Sequence, residues 1–406
     1  YARWCERTAA NHRLLLDFAL GGVSLYHFIA LLLAFLLVLF GAVFWALRYL
    51  LEGRRLLICR TVAAFFGLGT AAAVLLWQNP LASVMGMGNS ISFISVLCMT
   101  ELFLAFLVLA AVFFRALYRR ILAVPEDAGR RRLLAAAGLY PAASLGAALY
   151  GNLYERTAVV ERHYDIPVAA DSLSGYTVAQ LSDVHLGMFF SLEELRSLLE
   201  QTAAAAPQAL LLTGDVFDHP AWTREAAALI GSFTASFPDG IWYCHGNHEH
   251  LRGIELVEDA LAATDIRLLT NCAQCVREGT VPLYFAGVDY PMEGHRKGGE
   301  AFLQEKAELT ARALAQVPEN AVTVLLAHHP EFIDDAAEYG VRLVLTGHTH
   351  GSQFGLFGLP LLPVFKYTRG FVEKGRTTGY VHSGNGSWFP CRIGCPPEIA
   401  YFTLRA

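Results

Sequence analysis

The feature that most limits how this chain can fold is a series of four apolar stretches within its first 153 residues, at 25–51, 56–77, 91–114 and 133–153. A helix needs about 20 apolar residues to cross the hydrocarbon core of a bilayer. Lipid offers no partners to exposed backbone groups, so stretches of this kind span as helices. Four in succession with almost no charge predict an N-terminal bundle of about four transmembrane helices. A soluble helical core would show a charged face, and a cleavable signal peptide would account for the first run alone. The fourth stretch is the weakest, being rich in Ala and Gly and interrupted by Pro141. Leu14 to Ser24, with Asp17 and the Gly21-Gly22 pair, reads as an interfacial or tilted lead-in. Glu101, inside the third stretch, reads as a helix contact or interface residue rather than part of a transport pathway, which would need more intramembrane acids.

Charge separates the rest of the chain from this part. Residues 1–151 hold 13 Arg, no Lys and 6 acidic residues, a formal +7, whereas residues 152–406 hold 18 basic and 30 acidic residues, a formal −12. Only 17% of the 406 residues are charged, against about 25% in a soluble globular protein. The acidic second half argues against nucleic acid as a partner, because phosphate backbones are held by Lys and Arg. Arg54, Arg55 and Arg60 follow the first stretch, and Arg115, Arg119, Arg120 and Arg130 to Arg132 follow the third. Basic short loops stay cytoplasmic, so a fourth crossing would place the second half on the extracytoplasmic side. Arg3, Arg7 and Arg13 ahead of the first stretch argue for the opposite orientation.

From Tyr176 onward, short apolar runs alternate with amphipathic segments. The expected strands are Thr177–Leu181, Ala209–Thr213, Ile241–Cys244, Val281–Ala286, Val322–Ala327 and Val341–Thr346, with Ile399–Leu404 closing the domain. Ser191 and Glu194 have the spacing of a capping box ahead of a helix. The alternation predicts a single layered α/β domain. The organisation expected is a transmembrane region at 1–153, a linker at 154–174 and an α/β domain at 175–406.

Residues with metal-binding chemistry follow these strands. Asp183 and His185 come after the first, Gly214-Asp215 after the second, and Gly246-Asn247-His248-Glu249 after the third. His328-His329-Pro330 comes after the fifth and Gly347-His348-Thr349-His350 after the sixth. Ligands bind at strand ends in open α/β sheets. Imidazole, carboxylate and amide oxygen together suit Mn, Fe or Zn. Each piece alone is an ordinary structural residue; the order of the five, each after a strand, is what points to one site. No G-x-S-x-G is present to suggest a serine nucleophile.

D-x-H, GD, GNHE, H-x-P and GH-x-H in this order resemble the calcineurin-like metallophosphoesterase superfamily, over about residues 174–406 and most closely its membrane-anchored bacterial branch. Gly384-Asn385-Gly386, Arg392 and Cys395-Pro396-Pro397-Glu398-Ile399 resemble that branch's closing motif. The resemblance implies a four-layer αββα sandwich with two divalent metal ions, of Mn, Fe or Zn type. It assigns one ion to Asp183, His185, Asp215 and His350, and the second to Asp215, Asn247, His328 and His348, with Asp215 bridging. It makes His329 a non-ligand and His248 the residue that contacts phosphate or protonates the leaving group. The implied reaction is hydrolysis of a phosphomonoester or phosphodiester, a lipid-linked ester among the candidates, by a metal-bridging hydroxide without a covalent intermediate. Asp218-His219 stands where the protein-phosphatase branch has an Arg, which disfavours phosphoprotein substrates. Two alternatives accompany this reading: a UDP-diacylglucosamine-type pyrophosphate hydrolase, whose cytoplasmic substrate conflicts with the orientation above, and a non-catalytic membrane sensor, which would be expected to have lost a ligand or His248.

Several residues carry open readings. Cys272/Cys275 and Cys391/Cys395 suit disulfides in an extracytoplasmic domain, or a structural zinc as C-x2-C plus C-x3-C. Cys244 reads as core. His245, His250 and Asp289 lie near the motifs, at the substrate mouth or in structural roles. Asn385 and Arg392 read as structural more readily than as substrate contacts, and His382 is given no role.

Overall fold

The computed structural model describes residues 25–51, 53–76, 87–122, 140–187, 189–297, 299–387 and 389–406. The lead-in at 14–24, Arg3, Arg7, Arg13, Arg130 to Arg132, Cys5 and the start of the fourth apolar stretch lie outside these residues. The chain divides into two units, Tyr1–Leu153 and Tyr154–Ala406.

In the first unit, helices α1 (Leu25–Leu50), α2 (Gly53–Leu76) and α3 (Met87–Leu122) contain three segments long and apolar enough to cross a membrane: Ala30–Leu50, Leu56–Leu76 and Ser90–Phe114. Their outward residues, such as Val38, Phe65, Leu68 and Phe106, are large, apolar and exposed, as lipid-facing residues must be. The cluster shared by α1 and α3 includes the small residues Ala46, Ala105 and Ala111, of the kind that let helices approach closely. The segment that holds Arg115, Arg119 and Arg120, expected as loop, continues α3 as helix. The expected fourth span is described only from Tyr140: α4 (Tyr140–Leu149) is followed by a π-helical turn, Tyr150–Tyr154.

The second unit is built on two six-stranded sheets. The chain first lays down β1 (Val160–Pro167), β2 (Thr177–Leu181), β3 (Ala209–Thr213), β4 (Ile241–Cys244) and β5 (Arg267–Leu268). It then forms β6 (Cys272–Arg277), β7 (Leu283–Gly287), β8 (Val322–Leu326) and β9 (Leu343–Thr346). A hairpin of β10 (Gly355–Leu356) and β11 (Leu359–Pro360) follows, then β12 (Gly370–Lys374), β13 (Thr377–Val381) and β14 (Glu398–Arg405). One sheet has the order β1-β14-β2-β3-β4-β5 and the other β12-β13-β9-β8-β7-β6.

Strand periodicity sorts the side chains into layers. On β3, Ala209 and Leu211 enter the core shared by the two sheets, where they join Val178, Trp242, Phe285, Val324, Leu345 and Phe402. Leu210 and Leu212 point the other way and pack with Leu195, Leu199, Ile230 and Leu261 from the outer helices α5 (Leu192–Ala204), α6 (Thr223–Gly231) and α8 (Ile254–Ala262), while α7 (Asn247–Arg252) caps β4. On the far side, Leu309, Ala313, Phe332 and Ile333 cover the second sheet; they come from α10 (Gly299–Leu314) and α11 (Phe332–Glu338), with α9 (Met292–Lys297) preceding them. The result is the four-layer αββα sandwich. Ser191 caps α5 with both halves of the capping box formed.

Residues 154–174 are not a plain linker. They supply β1, which pairs in parallel with β14 at the edge of the first sheet. Only Ile166 of β1 is buried, and Glu161, Arg162, His163 and Asp165 are exposed. An edge strand with one dry position has no apolar run to announce it, and Pro167 at its end is compatible with an edge.

Candidate metal centre

Chemistry-bearing side chains gather where β2, β3, β4, β8 and β9 end. Asp183 and His185 follow β2, Asp215 and Asp218 follow β3, and Asn247 and His248 open α7 after β4. His328 follows β8, and His348 and His350 follow β9. The backbone there is unusual. Asp183, His185, Asp215, His348 and His350 all have positive φ, between 47° and 72°. Such conformations cost on the order of 1–3 kcal/mol each and persist where surroundings over-determine them. Backbone bonds hold the turns: Asp183 N–H donates to Gly214 O at 3.1 Å and His185 N–H to Asp215 O at 3.0 Å. A Cβ on Gly347 would overlap the Ser182 and Asp183 side chains, and one on Gly246 would overlap the Asp215 carboxylate. Glycine is therefore required for the loops to approach this closely.

The structure brings the side chains into two adjoining groups with Asp215 between them. Asp183, His185 and His350 form one group, and Asp215, His328 and His348 the other; His185, Asp215 and His248 link them. Asp215 Oδ2 lies 3.1 Å from His328 Nε2, 3.7 Å from His185 Nε2 and 3.9 Å from His248 Nε2. His185 Nε2 and His350 Nε2 are 2.9 Å apart, and His350 Nε2 is 3.6 Å from Asp183 Oδ1.

Hydrogen bonds orient the donors. His328 Nδ1 donates to Thr213 O at 2.8 Å, which turns Nε2 toward Asp215 Oδ2. His185 Nδ1 donates to Asp218 at 3.0 Å, so its Nε2 faces His350. Asp183 accepts from Ser182 Oγ at 2.6 Å and from His348 N–H at 2.9 Å. Two buried acceptors have no hydrogen-bond partner, Asn247 Oδ1 and His350 Nδ1. Convergent lone pairs, two buried carboxylates and an orphaned amide oxygen form a donor set that suits a pair of borderline divalent cations.

Burial and neighbouring charge act together on the titrating groups. Burial opposes protonation of His248, but the Asp215 and Asp218 carboxylates outweigh it and lift its pKa to about 9. His328 rises to about 10 for the same reason, with burial opposing and Asp215 prevailing. His348 and His350 fall well below the usual imidazole range, through burial first and neighbouring imidazoles second. His329 is buried and pushed down to about 3; it belongs to none of the candidate ligand groups, and its Nδ1 accepts from Glu331 N–H.

Three residues with a part in the site went unassigned in the sequence. Asp218 accepts from His248 Nδ1 at 2.5 Å as well as from His185. Glu249, fully buried, accepts N–H bonds from Asp215, Val216, Phe217 and Gly246 at 2.8–3.2 Å, joining the loops after β3 and β4. Cys395 Sγ donates to His350 O and Gly351 O at 3.5 Å, and its N–H donates to Glu155. The available signals were the three-residue spacing of Asp218 from Asp215 and the position of Glu249 in the third turn of polar residues.

The remaining residues have structural partners. Asn385 bridges Ser182 N–H and Glu398 O, and buried Arg392 donates to Gly386 O, Ser387 Oγ and Cys395 O. Cys272, Cys275, Cys391 and Cys395 are all free thiols, and no cysteine joins a ligand group among the described residues. Cys272 and Cys275 lie three positions apart on β6, about 10 Å along a strand, too far for a disulfide with each other.

The calcineurin-like phosphoesterase family profile matches residues 176–352, the span that holds every one of these loops. Residues 176–352 are a calcineurin-like phosphoesterase domain. The uncharacterized metallophosphoesterase YkuE of Bacillus subtilis is 27% identical over 286 residues, 66% of this chain and 96% of that one. Phosphodiesterase YaeI of Escherichia coli is 25% identical over 243 residues, 58% of this chain and 84% of that one. The transmembrane protein with metallophosphoesterase domain of Danio rerio is 27% identical over 273 residues, 64% of this chain and 60% of that one. The phosphoesterase domain is thus a hydrolase domain of a family that uses a dinuclear metal centre, here in a chain whose described residues include three helices long and apolar enough to cross a membrane.

Proposed function

We propose that this protein is a membrane-anchored phosphoesterase that hydrolyses a phosphodiester or phosphomonoester carrying a long apolar group. The observation that carries the reaction is the central position of Asp215 between two ligand groups. In this reading Asp183, His185, Asp215 and His350 hold one divalent cation, and Asp215, Asn247, His328 and His348 hold the other. Bound there, two cations supply Lewis acidity, neutralising phosphoryl oxygens and acidifying water. His248 Nδ1–H is taken by Asp218, which leaves Nε2 as the atom that carries the transferable proton. That proton goes to the departing oxygen.

The apolar group is inferred from the segment that leaves the site at His350 and returns to it at Phe365, whose ring lies 5.1 Å from that of His348. Between them the β10–β11 hairpin and its exit expose Phe357 (94%), Val364 (81%), Leu359, Leu361 and Leu362. Exposed patches of this kind mark binding surfaces. The printed name of the Escherichia coli relative favours a diester. In this reading the segment 133–153 provides a fourth crossing and leaves the domain extracytoplasmic, opposite Arg54, Arg55 and Arg60.

The test is hydrolysis of bis-p-nitrophenyl phosphate and p-nitrophenyl phosphate by the purified chain, with and without Mn2+. Metal-dependent turnover that Asp215→Asn abolishes is expected. Wild-type turnover by that variant overturns the two-cation reading. Protease protection of the domain in spheroplasts overturns the outward orientation.

A further inference from the structure

A second group of ligand-type side chains lies beside the centre and shares no residue with it. His245 follows β4, His250 is on α7 and Asp289 follows β7. One nitrogen from each imidazole and one oxygen from Asp289 lie within 4.8 Å of one another. His250 Nε2 is 2.8 Å from Asp289 Oδ1, and His245 Nδ1 is 3.4 Å from the same oxygen. The His245 and His250 rings meet edge to face, with centroids 5.7 Å apart.

His245 decides between a hydrogen-bonded trio and a cation site. It is only 1% exposed, and neither ring nitrogen has a hydrogen-bond partner. Leaving a buried polar atom unsatisfied is costly. Asp289 Oδ1 is already taken by His250 and by Tyr290 N–H at 2.8 Å. An imidazole sealed from water and turned toward a carboxylate oxygen that already accepts two hydrogen bonds is poorly served by hydrogen bonding alone and well served by a cation at Nδ1. Its other nitrogen faces Glu258 Oε1 at 3.9 Å, the carboxylate arrangement that orients a metal-bound imidazole from behind.

We propose that His245, His250 and Asp289 bind a further divalent cation of the zinc class, with Glu258 orienting His245. Two imidazoles and one carboxylate match three-ligand zinc sites that leave a fourth position open. That position has access to solvent, since His250 and Asp289 are only partly buried. The site adjoins the dinuclear centre through the chain: His245 is two residues from Asn247, and the ring of Tyr290, next to Asp289, lies within about 6 Å of the His328 and His348 rings.

Metal content of the detergent-solubilised full chain tests this, after chelator stripping and dialysis against ZnCl2. Wild type is expected to retain about three equivalents, and Asp289→Asn and His250→Gln about two. Asp215→Asn should keep the equivalent that Asp289→Asn loses, which separates this site from the dinuclear reading. Co2+ replacement should give a visible d–d band in Asp215→Asn that is absent from the double variant with Asp289→Asn. His245→Ala risks the fold, so the two milder variants carry the test, with thermal melting as the check that they are folded. Equal zinc content in wild type and both folded variants overturns the proposal.

Discussion

Glu249 shows how much of this site rests on a residue that offers no ligand atom of its own. Its buried carboxylate receives four backbone N–H groups from two loops. Glu249→Gln puts an amide N–H against one or more of those donors and should cost about 3 kcal/mol, a fall in melting temperature of roughly 6–12 °C for a domain this size; a melting curve unchanged from wild type would refute the role. Asp218 acts on side chains instead, holding His185 and His248 by their Nδ1 atoms. Asp218→Asn should reduce metal affinity or activity by about 10–100-fold, read from turnover as a function of Mn2+ concentration. The metal-type residues were legible because each follows an apolar run, so position and residue type coincide. Asp218 and Glu249 were not, because their partners are backbone and side-chain atoms about 30 residues away, and only folding creates those bonds.

At the scale of elements the same division holds. β2, β3 and β4 begin and end where their apolar runs do, since both faces of these strands are buried. β1, β6 and β12 escaped notice because each is partly exposed and carries charge. The first strand also has a consequence for acid stability. Arg162 of β1 pairs with buried Glu398 of β14 at 2.5 Å. Burial raises the Glu398 pKa, but His382, the Ser383 N–H and Arg162 outweigh it and leave the carboxyl below its ordinary value of 4.5. A depressed carboxyl stabilises the fold fully above pH 4.5 and loses that contribution as pH falls through its lower folded value. Glu398→Gln should therefore be less stable than wild type at pH 7, with the gap closing in denaturant melts as pH falls below 4.5. The β10–β11 hairpin makes a separate prediction. Phe357→Ser should raise KM about tenfold or more for a phosphodiester with a long acyl chain and leave bis-p-nitrophenyl phosphate hydrolysis unchanged; equal effects on both substrates would remove the case for an apolar group.

For the molecule as a whole, the spans and the sandwich were readable separately, by length of apolar run in one and alternation in the other. The number of crossings was not, because Pro141 and the Ala/Gly composition of 133–153 weaken the signal at the segment that decides sidedness. Three spans of 21–25 residues predict that the chain stays with the membrane through carbonate and high-salt washing and is released only by detergent; release at pH 11 would contradict them. The last strand has its own bearing on how the protein comes into being. β14 lies between β1 and β2, parallel to one and antiparallel to the other, although every candidate metal ligand precedes it by at least 48 positions. A ribosome that stalls before Glu398 releases a chain with all its ligands but a gap in the middle of one sheet. The candidate ligands therefore all precede the strand that joins β1 to the rest of the sheet.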